Sequence, residues 1–324
     1  RNCAKGPATL NQVQDPERIL QPMRRVGPRA EGKFEPISWD SALDQIAQSI
    51  RDCFDGDRHD EVMYHVGRPG HEGSVERVLQ AWGIDGHNSH TTVCSASARA
   101  GYQFTWGFDR PAPDHANAQL ILLLSAHLES GHYFNPHAQR IMDAKQSGAR
   151  IVVLDPRLSN TAAKADLWLP TRPGTEGAVL LAALRILIEE DRIDRQFVHD
   201  WVDWRGYLKE LHSSEVPSLE NFLSKFSKHL EKWTPSEAES YAGLEEGSVR
   251  KLADEIARAG SRIAAHCWRS AASGNLGGWQ IARSLAILNA FTGSLGVEGG
   301  TSPAGWNKFK PNFFSMPDPG KRWN

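Results

Sequence analysis

Four cysteines are the residues of this sequence with the most distinctive possible chemistry, at positions Cys3, Cys53, Cys94 and Cys267. Their spacings fit neither a CxxC pair nor a local zinc-binding pattern. Cys94 lies in the run VCSASARAG, whose small side chains would let a bulky group approach the backbone. A thiolate there would suit a soft or high-valent metal. Taken alone, however, each cysteine is better explained as a buried or free thiol, so a metal at Cys94 needs independent support.

Eight further candidates lie at the ends of three apolar segments, 118–125, 150–154 and 165–169, that have the length of buried strands. They are Ser125, His127 and Glu129 at the first segment, Asp155 and Arg157 at the second, and Gly174, Thr175 and Glu176 after the third. Carboxylates in such places can accept from ribose hydroxyls or from the amino–imino edge of guanine, and arginine and backbone amides can bind phosphate. Each candidate is also an ordinary turn or cap residue, but together they predict a nucleotide site.

The elements that would position these residues alternate between strand and helix. Besides the three apolar segments, strands are predicted at 61–66 and 263–267, and helices from 38 and at 72–82, 137–147, 176–189, 248–259 and 278–291. Ser38 is the expected N-cap of the first helix, whereas residues 1–37 are expected to be irregular because prolines and glycines interrupt any period. Continuous apolar strands between helices are typical of a parallel sheet covered on both faces, so the predicted fold class is α/β.

Composition is that of an ordinary globular protein, with 324 residues, a formal net charge of −2, 40% hydrophobic and 23% charged residues. The near-neutral charge argues against nucleic acid as a partner, and no apolar run is long enough to cross a bilayer. The sequence has no GxGxxG, the usual fingerprint of nicotinamide and flavin sites. It begins at Arg1 without a methionine or a signal-peptide pattern, so we expect a fragment of a longer protein.

Five stretches, taken together and in order, resemble one enzyme family: CAKGPATLNQVQDPERILQPMRRVG, FEPISWDSALDQIA, VCSASARAGYQF, GARIVVLDPRLSNTAAKADLWLPTRPGTEGA and ARSLAILNAFTGSLGVEGG. The family is that of the molybdopterin-guanine-dinucleotide oxidoreductases, also called the dimethyl sulfoxide reductase family. The resemblance covers almost the whole chain. It implies a molybdenum or tungsten ion held by bis-molybdopterin guanine dinucleotide, with a [4Fe-4S] cluster nearby.

The resemblance also implies a role for each matching residue. Cys94 corresponds to the protein ligand of molybdenum or tungsten, Cys3 to the last cysteine of the cluster, and Lys5 to a lysine on the electron path between cluster and pterin. The other cluster cysteines are not in this sequence. The guanine-dinucleotide arms would contact the eight strand-end residues named above. Trp268, Arg269 and Ser270 lie where a later loop approaches the pterin and the active-site floor, and Arg269 is the candidate positive group beside an oxyanion substrate.

The family fold implies parallel-sheet, Rossmann-like domains, the second and third of the family, with the tail of the iron–sulfur domain at the amino terminus. Residues 1–37 would be that tail. Residues 38–110 with 262–324 would form a discontinuous first α/β pterin-binding domain, and 111–261 an inserted Rossmann-like one. The family's C-terminal cofactor-binding β-barrel is not in this sequence, which we expect to reflect truncation.

The residue after the metal ligand helps to choose a branch of the family. Formate dehydrogenases typically place a histidine there, whereas Ser95 follows Cys94, which favours the polysulfide, thiosulfate and arsenate reductases. The expected activity is two-electron oxygen- or sulfur-atom transfer on a small inorganic substrate such as polysulfide, thiosulfate, tetrathionate, sulfite or arsenate. A formate dehydrogenase-like or nitrate reductase-like enzyme and a cofactor-free scaffold subunit are the alternatives. The expected partners are an iron–sulfur electron-transfer subunit and a membrane anchor, which would place the chain in the periplasm or at a membrane.

Overall fold

The computed structural model describes residues 5–67, 72–84, 87–127, 135–267 and 269–304. Its contacts divide the chain into two compact units, which we describe separately. Of the described residues, those from 93 to 304 belong to one unit, called the sheet unit below, and those from 5 to 92 belong to the other, called the amino-terminal unit. No helix in the described part of the chain is both long enough and apolar enough to span a membrane.

The amino-terminal unit consists of short elements. They are α1 Lys5–Val13, β1 Met23–Arg25, β2 Phe34–Pro36, α2 Trp39–Asp55, a 3-10 turn His59–Glu61, β3 Tyr64–Val66, α3 Glu72–Ala81, β4 His87–Ser89 and the start of α4 His90–Cys94. β1 pairs with β2 antiparallel, and β3 pairs with β4 parallel. As predicted, Ser38 caps α2, since its hydroxyl accepts a hydrogen bond from the Ser41 amide at 3.1 Å.

The prediction that residues 1–37 are irregular is wrong in part, because this segment contains α1 and the β1–β2 pair. The proline at Pro7 falls in the first turn of α1, where an amide has no helical acceptor to lose. The two strands have three residues each and no buried residue, so no apolar alternation could have revealed them. Their pairing depends on cross-strand hydrogen bonds, which periodicity does not report.

The sheet unit holds the predicted α/β fold. After α4 it contains α5 Ala96–Trp106, β5 Arg110–Pro113, β6 Leu120–Leu124, α6 Asn135–Gln146, β7 Arg150–Leu154, a 3-10 turn Ala162–Lys164, β8 Leu167–Leu169, α7 Glu176–Glu189, α8 Arg195–Trp201, α9 Trp204–Leu211, α10 Leu219–His229, α11 Pro235–Ala242, α12 Ser248–Ala259, β9 Ile263–Cys267, α13 Arg269–Ser273, α14 Gly278–Phe291 and β10 Thr301–Ala304. The predicted bounds of β7, α7, α12, β9 and α14 are confirmed residue for residue.

Four of these strands form one parallel sheet in the order β8-β7-β6-β9. The chain moves outward from β6 through β7 to β8 and then returns to place β9 on the other side of β6. The direction of winding therefore reverses between β6 and β9. Such a switch point opens a crevice at the carboxyl ends of the strands, which is where ligands of open parallel sheets bind.

Both faces of the sheet are covered, as the continuous apolar strands predicted. Leu122 and Leu124 of β6 point into the larger core together with residues of α7, α12 and α14. Ile121 and Leu123 point the other way and pack with Ile141 of α6. Every residue of β6 and β9 is buried, which explains why neither strand shows polar alternation.

The compact units differ from the predicted domains. Residues 111–261 and 262–304 were assigned to different domains, but β9 pairs with β6 along its whole length and lies in the same sheet. The contact boundary falls instead between Thr92 and Val93. The three-part division came from the family resemblance, and it stays a prediction for the longer protein.

Candidate functional site

The carboxyl ends of the four parallel strands meet at one edge of the sheet, called the carboxyl edge below. Hydrogen bonds link them directly: the Ser125 amide donates to the Leu154 carbonyl at 2.8 Å, and the Asp155 amide donates to the Leu169 carbonyl at 3.2 Å. Ser125 has a φ of +49°, a left-handed conformation that costs a non-glycine residue roughly 1 kcal/mol or more. The strand ends of β6, β7 and β8 are thus brought together, with a backbone turn that is strained at Ser125.

Glu176 is the most constrained residue of this edge. It begins α7 and is fully buried, with one carboxylate oxygen, Oε2, accepting from the Gly174 amide at 2.9 Å. The other oxygen, Oε1, is buried and has no hydrogen-bond partner in the described structure. Burial raises the pKa of Glu176, and the nearby Asp155 carboxylate raises it further. An unsatisfied buried acceptor of this kind is suited to a ligand that brings its own donors.

Asp155 follows β7 and is nearly buried. Its Oδ1 accepts from the Arg157 amide at 2.9 Å, and its carbonyl accepts from the Trp168 indole at 2.8 Å. These bonds hold the Asp155 carboxylate at the carboxyl edge. The Arg157 guanidinium lies 2.9 Å from Nδ1 of His127, so these two predicted residues are in contact across neighbouring strand ends.

The segment between β8 and α7 lies on the same side. Thr175 is the N-cap residue of α7, but its hydroxyl donates to the Arg172 carbonyl at 2.6 Å and does not bond to the helix amides. Gly174 has a φ of +90°, and a Cβ there would lie 3.1 Å from Asn275 Oδ1. A side chain at Gly174 would thus be strained and would crowd the loop before α14.

Two neighbours of this site, Thr171 and Cys267, are not among the strand-end residues that the sequence predicts for the nucleotide site. Thr171 is fully buried, and its hydroxyl has no partner in the described structure. Cys267 ends β9, and burial together with the nearby Glu176 carboxylate raises its thiol pKa. The strand-end rule that identified Asp155 also applies to both, but neither stands in a recognisable turn motif.

Cys94 is half-buried and ends α4. Ser95 is almost fully buried and precedes α5, which packs against α14 through its small residues. Arg99 on α5 donates to the Asp109 carboxylate at 2.6 Å, so this guanidinium is already paired. Within the described residues no group of three or more His, Cys, Asp or Glu side chains is arranged to hold a metal.

Several predicted residues are not placed by the structure. Cys3, Glu129 and Trp268 lie outside the described residues, and the side chains of Lys5, Arg269 and Ser270 do as well. The backbone of Lys5 begins α1 and that of Arg269 begins α13. Their roles stay predictions.

Known proteins resemble this chain over nearly its full length. The dimethyl sulfoxide reductase DmsA of Escherichia coli (strain K12) is 28% identical over 345 residues, which cover 98% of this chain and 41% of DmsA. The arsenate respiratory reductase molybdopterin-containing subunit ArrA of Shewanella sp. (strain ANA-3) is 27% identical and covers 93% of this chain, which matches 37% of ArrA. The chain thus spans about two fifths of the length of these relatives.

A solved structure shares the fold. Acetylene hydratase from Pelobacter acetylenicus superposes with a TM-score of 0.72, at 24% identity, covering 93% of this chain and 39% of the hydratase. The family model described as molybdopterin oxidoreductase matches residues 18–309. Because that match takes in both compact units and the whole carboxyl edge, the chain belongs to the molybdopterin oxidoreductase family.

Proposed function

We propose that this chain is part of the catalytic subunit of a molybdenum or tungsten enzyme whose cofactor is bis-molybdopterin guanine dinucleotide. The observation that carries the guanine-dinucleotide assignment is the buried, unpartnered Oε1 of Glu176 at the carboxyl edge. Guanine offers two adjacent donors, its ring N–H and its amino group, and a carboxylate is the acceptor that matches them. The Glu176 carboxylate therefore fits the guanine end of that cofactor.

The residues around Glu176 divide the remaining contacts by chemistry. Asp155 would accept from ribose hydroxyls, because the bond from the Arg157 amide holds its carboxylate at the carboxyl edge. Arg157 and the amides near Thr175 would meet phosphate. Ser125, His127, Glu129 and Gly174 complete the proposed cradle for the arms.

At the other end of the cofactor, Cys94 would hold the metal as its thiolate, and Trp268 and Ser270 would line the pterin and the active-site floor. When bound, the cofactor supplies two-electron oxygen- or sulfur-atom transfer chemistry. Arg269 would orient an anionic substrate by its charge. Lys5 and a [4Fe-4S] cluster ligated in part by Cys3 would carry electrons away from or toward the pterin.

The substrate class we propose is an oxidised sulfur or arsenic compound. Two relatives are named for dimethyl sulfoxide and for arsenate, and reduction of either removes one oxygen atom. Ser95 after Cys94 disfavours formate. Since the relatives are longer than this chain, an iron–sulfur subunit, a membrane anchor and a location in the periplasm or at a membrane belong to the same proposal.

Metal and nucleotide analysis of the full-length protein tests the proposal. We expect about one molybdenum or tungsten per subunit, and about two guanosine monophosphates released per metal on hydrolysis. Cys94→Ala should lose the metal while retaining the far-UV circular dichroism of the native chain. A preparation made under molybdate- and tungstate-replete conditions that held neither metal nor guanine nucleotide would favour the scaffold alternative.

A further inference from the structure

We propose that Tyr102 is a positioning residue whose hydroxyl sets the orientation of the Cys94-bearing segment relative to the carboxyl edge of the sheet. This role builds on the proposed function, in which Cys94 holds the metal. Tyr102 lies in the middle of α5, the helix that begins two residues after Cys94. Its side chain is fully buried, so the hydroxyl can act only through what it contacts inside the protein.

That contact is with the end of a sheet strand. The Tyr102 hydroxyl donates to the Cys267 carbonyl at 3.1 Å, across 165 positions of sequence. Cys267 is the last residue of β9, which pairs with β6 beside the switch point of the sheet. A directional bond therefore joins the helix after the proposed metal ligand to the strand edge where the nucleotide would bind.

The packing of α5 explains why this bond would matter. The helix α5 also packs on α14, and the two helices meet at Gly101, where a Cβ would lie 2.2 Å from the Trp279 carbonyl oxygen. Backbones in such close contact fix the distance between two helices, but a glycine has no side chain to resist rotation of the helix about its axis. The Tyr102 hydroxyl stands at the end of a long rigid ring and supplies that resistance. A second restraint, from the Trp106 indole to the Ala286 carbonyl at 3.3 Å, is one turn farther from Cys94.

The strand end that carries this carbonyl is close to two other parts of the proposed site. Cys267 lies near enough to Glu176 for that carboxylate to raise its thiol pKa. Two residues after Cys267, α13 begins at Arg269, the proposed substrate-orienting group. Tyr102 thus keeps the thiolate segment in register with the nucleotide-binding carboxylate and with the start of α13. A cofactor that must reach both Cys94 and Glu176 needs that register.

Tyr207 provides a matched control within the sheet unit. It is a part-buried tyrosine on α9, in an aromatic cluster with Phe222 and Phe226, and its hydroxyl is buried without a partner in the described structure. Replacing either tyrosine by phenylalanine removes one oxygen and keeps the ring. Only at Tyr102 does the change remove a hydrogen bond to the carboxyl edge.

The first test measures the chain itself, in full-length protein prepared without cofactor. In Tyr102→Phe, iodoacetamide should alkylate Cys94 about fivefold faster. The net free energy of one hydrogen bond corresponds to about a fivefold change in the fraction of molecules that are locally open at this segment. Site-resolved mass spectrometry follows each cysteine, and Cys53 on α2 should react at the native rate because it lies in the other unit. Tyr207→Phe should leave both rates unchanged. Equal acceleration at Cys53 and Cys94 would mean general destabilisation and would overturn the positioning role.

The second test uses the loaded enzyme and a spectroscopic signature. The electron paramagnetic resonance spectrum of the metal(V) state reports the orientation of the thiolate ligand, so Tyr102→Phe should shift its g values while Tyr207→Phe does not. If Cys94→Ala abolishes metal retention but Tyr102→Phe leaves the spectrum and the alkylation rate native, the positioning role fails and the proposed function stands. If Cys94→Ala retains the native spectrum, the proposed function itself fails.

Discussion

A buried carboxylate oxygen that accepts no hydrogen bond destabilises the folded chain, and Oε1 of Glu176 is such an atom in the described structure. The neutral form of Glu176 is favoured by burial and by the facing Asp155 carboxylate, whereas a guanine ligand would favour the ionised form. Cofactor binding and proton release are therefore expected to be linked at this residue. The oxygen that destabilises the cofactor-free chain is also the acceptor that the guanine ligand would need.

Replacing Glu176 by glutamine should stabilise the cofactor-free chain and weaken nucleotide retention. Since the pKa of Glu176 is raised in the folded chain, its carboxyl is tolerated below the unfolded pKa and destabilises the fold as pH rises through the folded pKa. Glu176→Gln should thus raise the free energy of unfolding by about 1 kcal/mol at pH 8 and by less at pH 5. Urea denaturation at both pH values measures the difference, and guanosine monophosphate released from loaded protein should fall.

The control is Glu190→Gln, which should have the opposite sign. Hydrogen bonds from Arg250 and Arg192 lower the pKa of Glu190, so its charge stabilises the folded chain at neutral pH. A gain in stability from both substitutions would contradict the inference that the buried Glu176 carboxylate destabilises the fold.

His115 predicts a loss of stability in acid. It is almost fully buried, with its Nδ1 3.5 Å from Nδ1 of His137, and burial lowers its pKa from 6.5 to about 4. His137 and Arg140 lower this pKa as well, and Asp114 opposes them. Because the unfolded chain binds the proton more readily, stability present above pH 6.5 should fall by roughly 3 kcal/mol as pH drops to about 4. Denaturation at pH 7 and 4.5 should show a smaller decrease in His115→Gln than in the native chain.

At the scale of elements, the contact between α5 and α14 positions the segment that carries Cys94. It forms because α5 presents Gly101 to Trp279 and Ala282 of α14, so that the backbones can meet. The small residues around Cys94 first suggested space for a bulky ligand. The structure gives part of that run a second use, which is close helix packing.

Gly101→Ala should destabilise the sheet unit by about 1–3 kcal/mol, because the new methyl group would overlap the Trp279 carbonyl and force the helices apart. Gly177→Ala is the matched substitution, since Gly177 is also helical but a Cβ there would meet its nearest atom at 3.6 Å. It should be neutral or stabilising by up to about 1 kcal/mol. Thermal unfolding of the two variants separates the effects; equal behaviour would argue against close α5–α14 packing.

At the scale of the whole molecule, the chain spans about two fifths of the length of its relatives DmsA and ArrA. The expected substrates are therefore to be assayed with the full-length enzyme. Reduced viologen should be oxidised with dimethyl sulfoxide, arsenate, thiosulfate or polysulfide as acceptor, and formate should give no reduction of an oxidised dye. Turnover with formate alone would move the protein to the formate dehydrogenase-like alternative.

The parallel sheet and its covering helices could be predicted from the sequence alone, because apolar runs such as 150–154 and helix-ending residues such as Gly260 are local features of the chain. The sequence also predicted that Asp155 and Glu176 would share one edge, since parallel strands place their ends together. The short strands before α2 escaped prediction because exposed three-residue strands have no periodicity. Only the tertiary structure reveals the order of the strands in the sheet, the Glu176 oxygen that accepts no hydrogen bond in the described structure, and the bond from Tyr102 to Cys267. Each depends on residues far apart in sequence, whose approach no local pattern records.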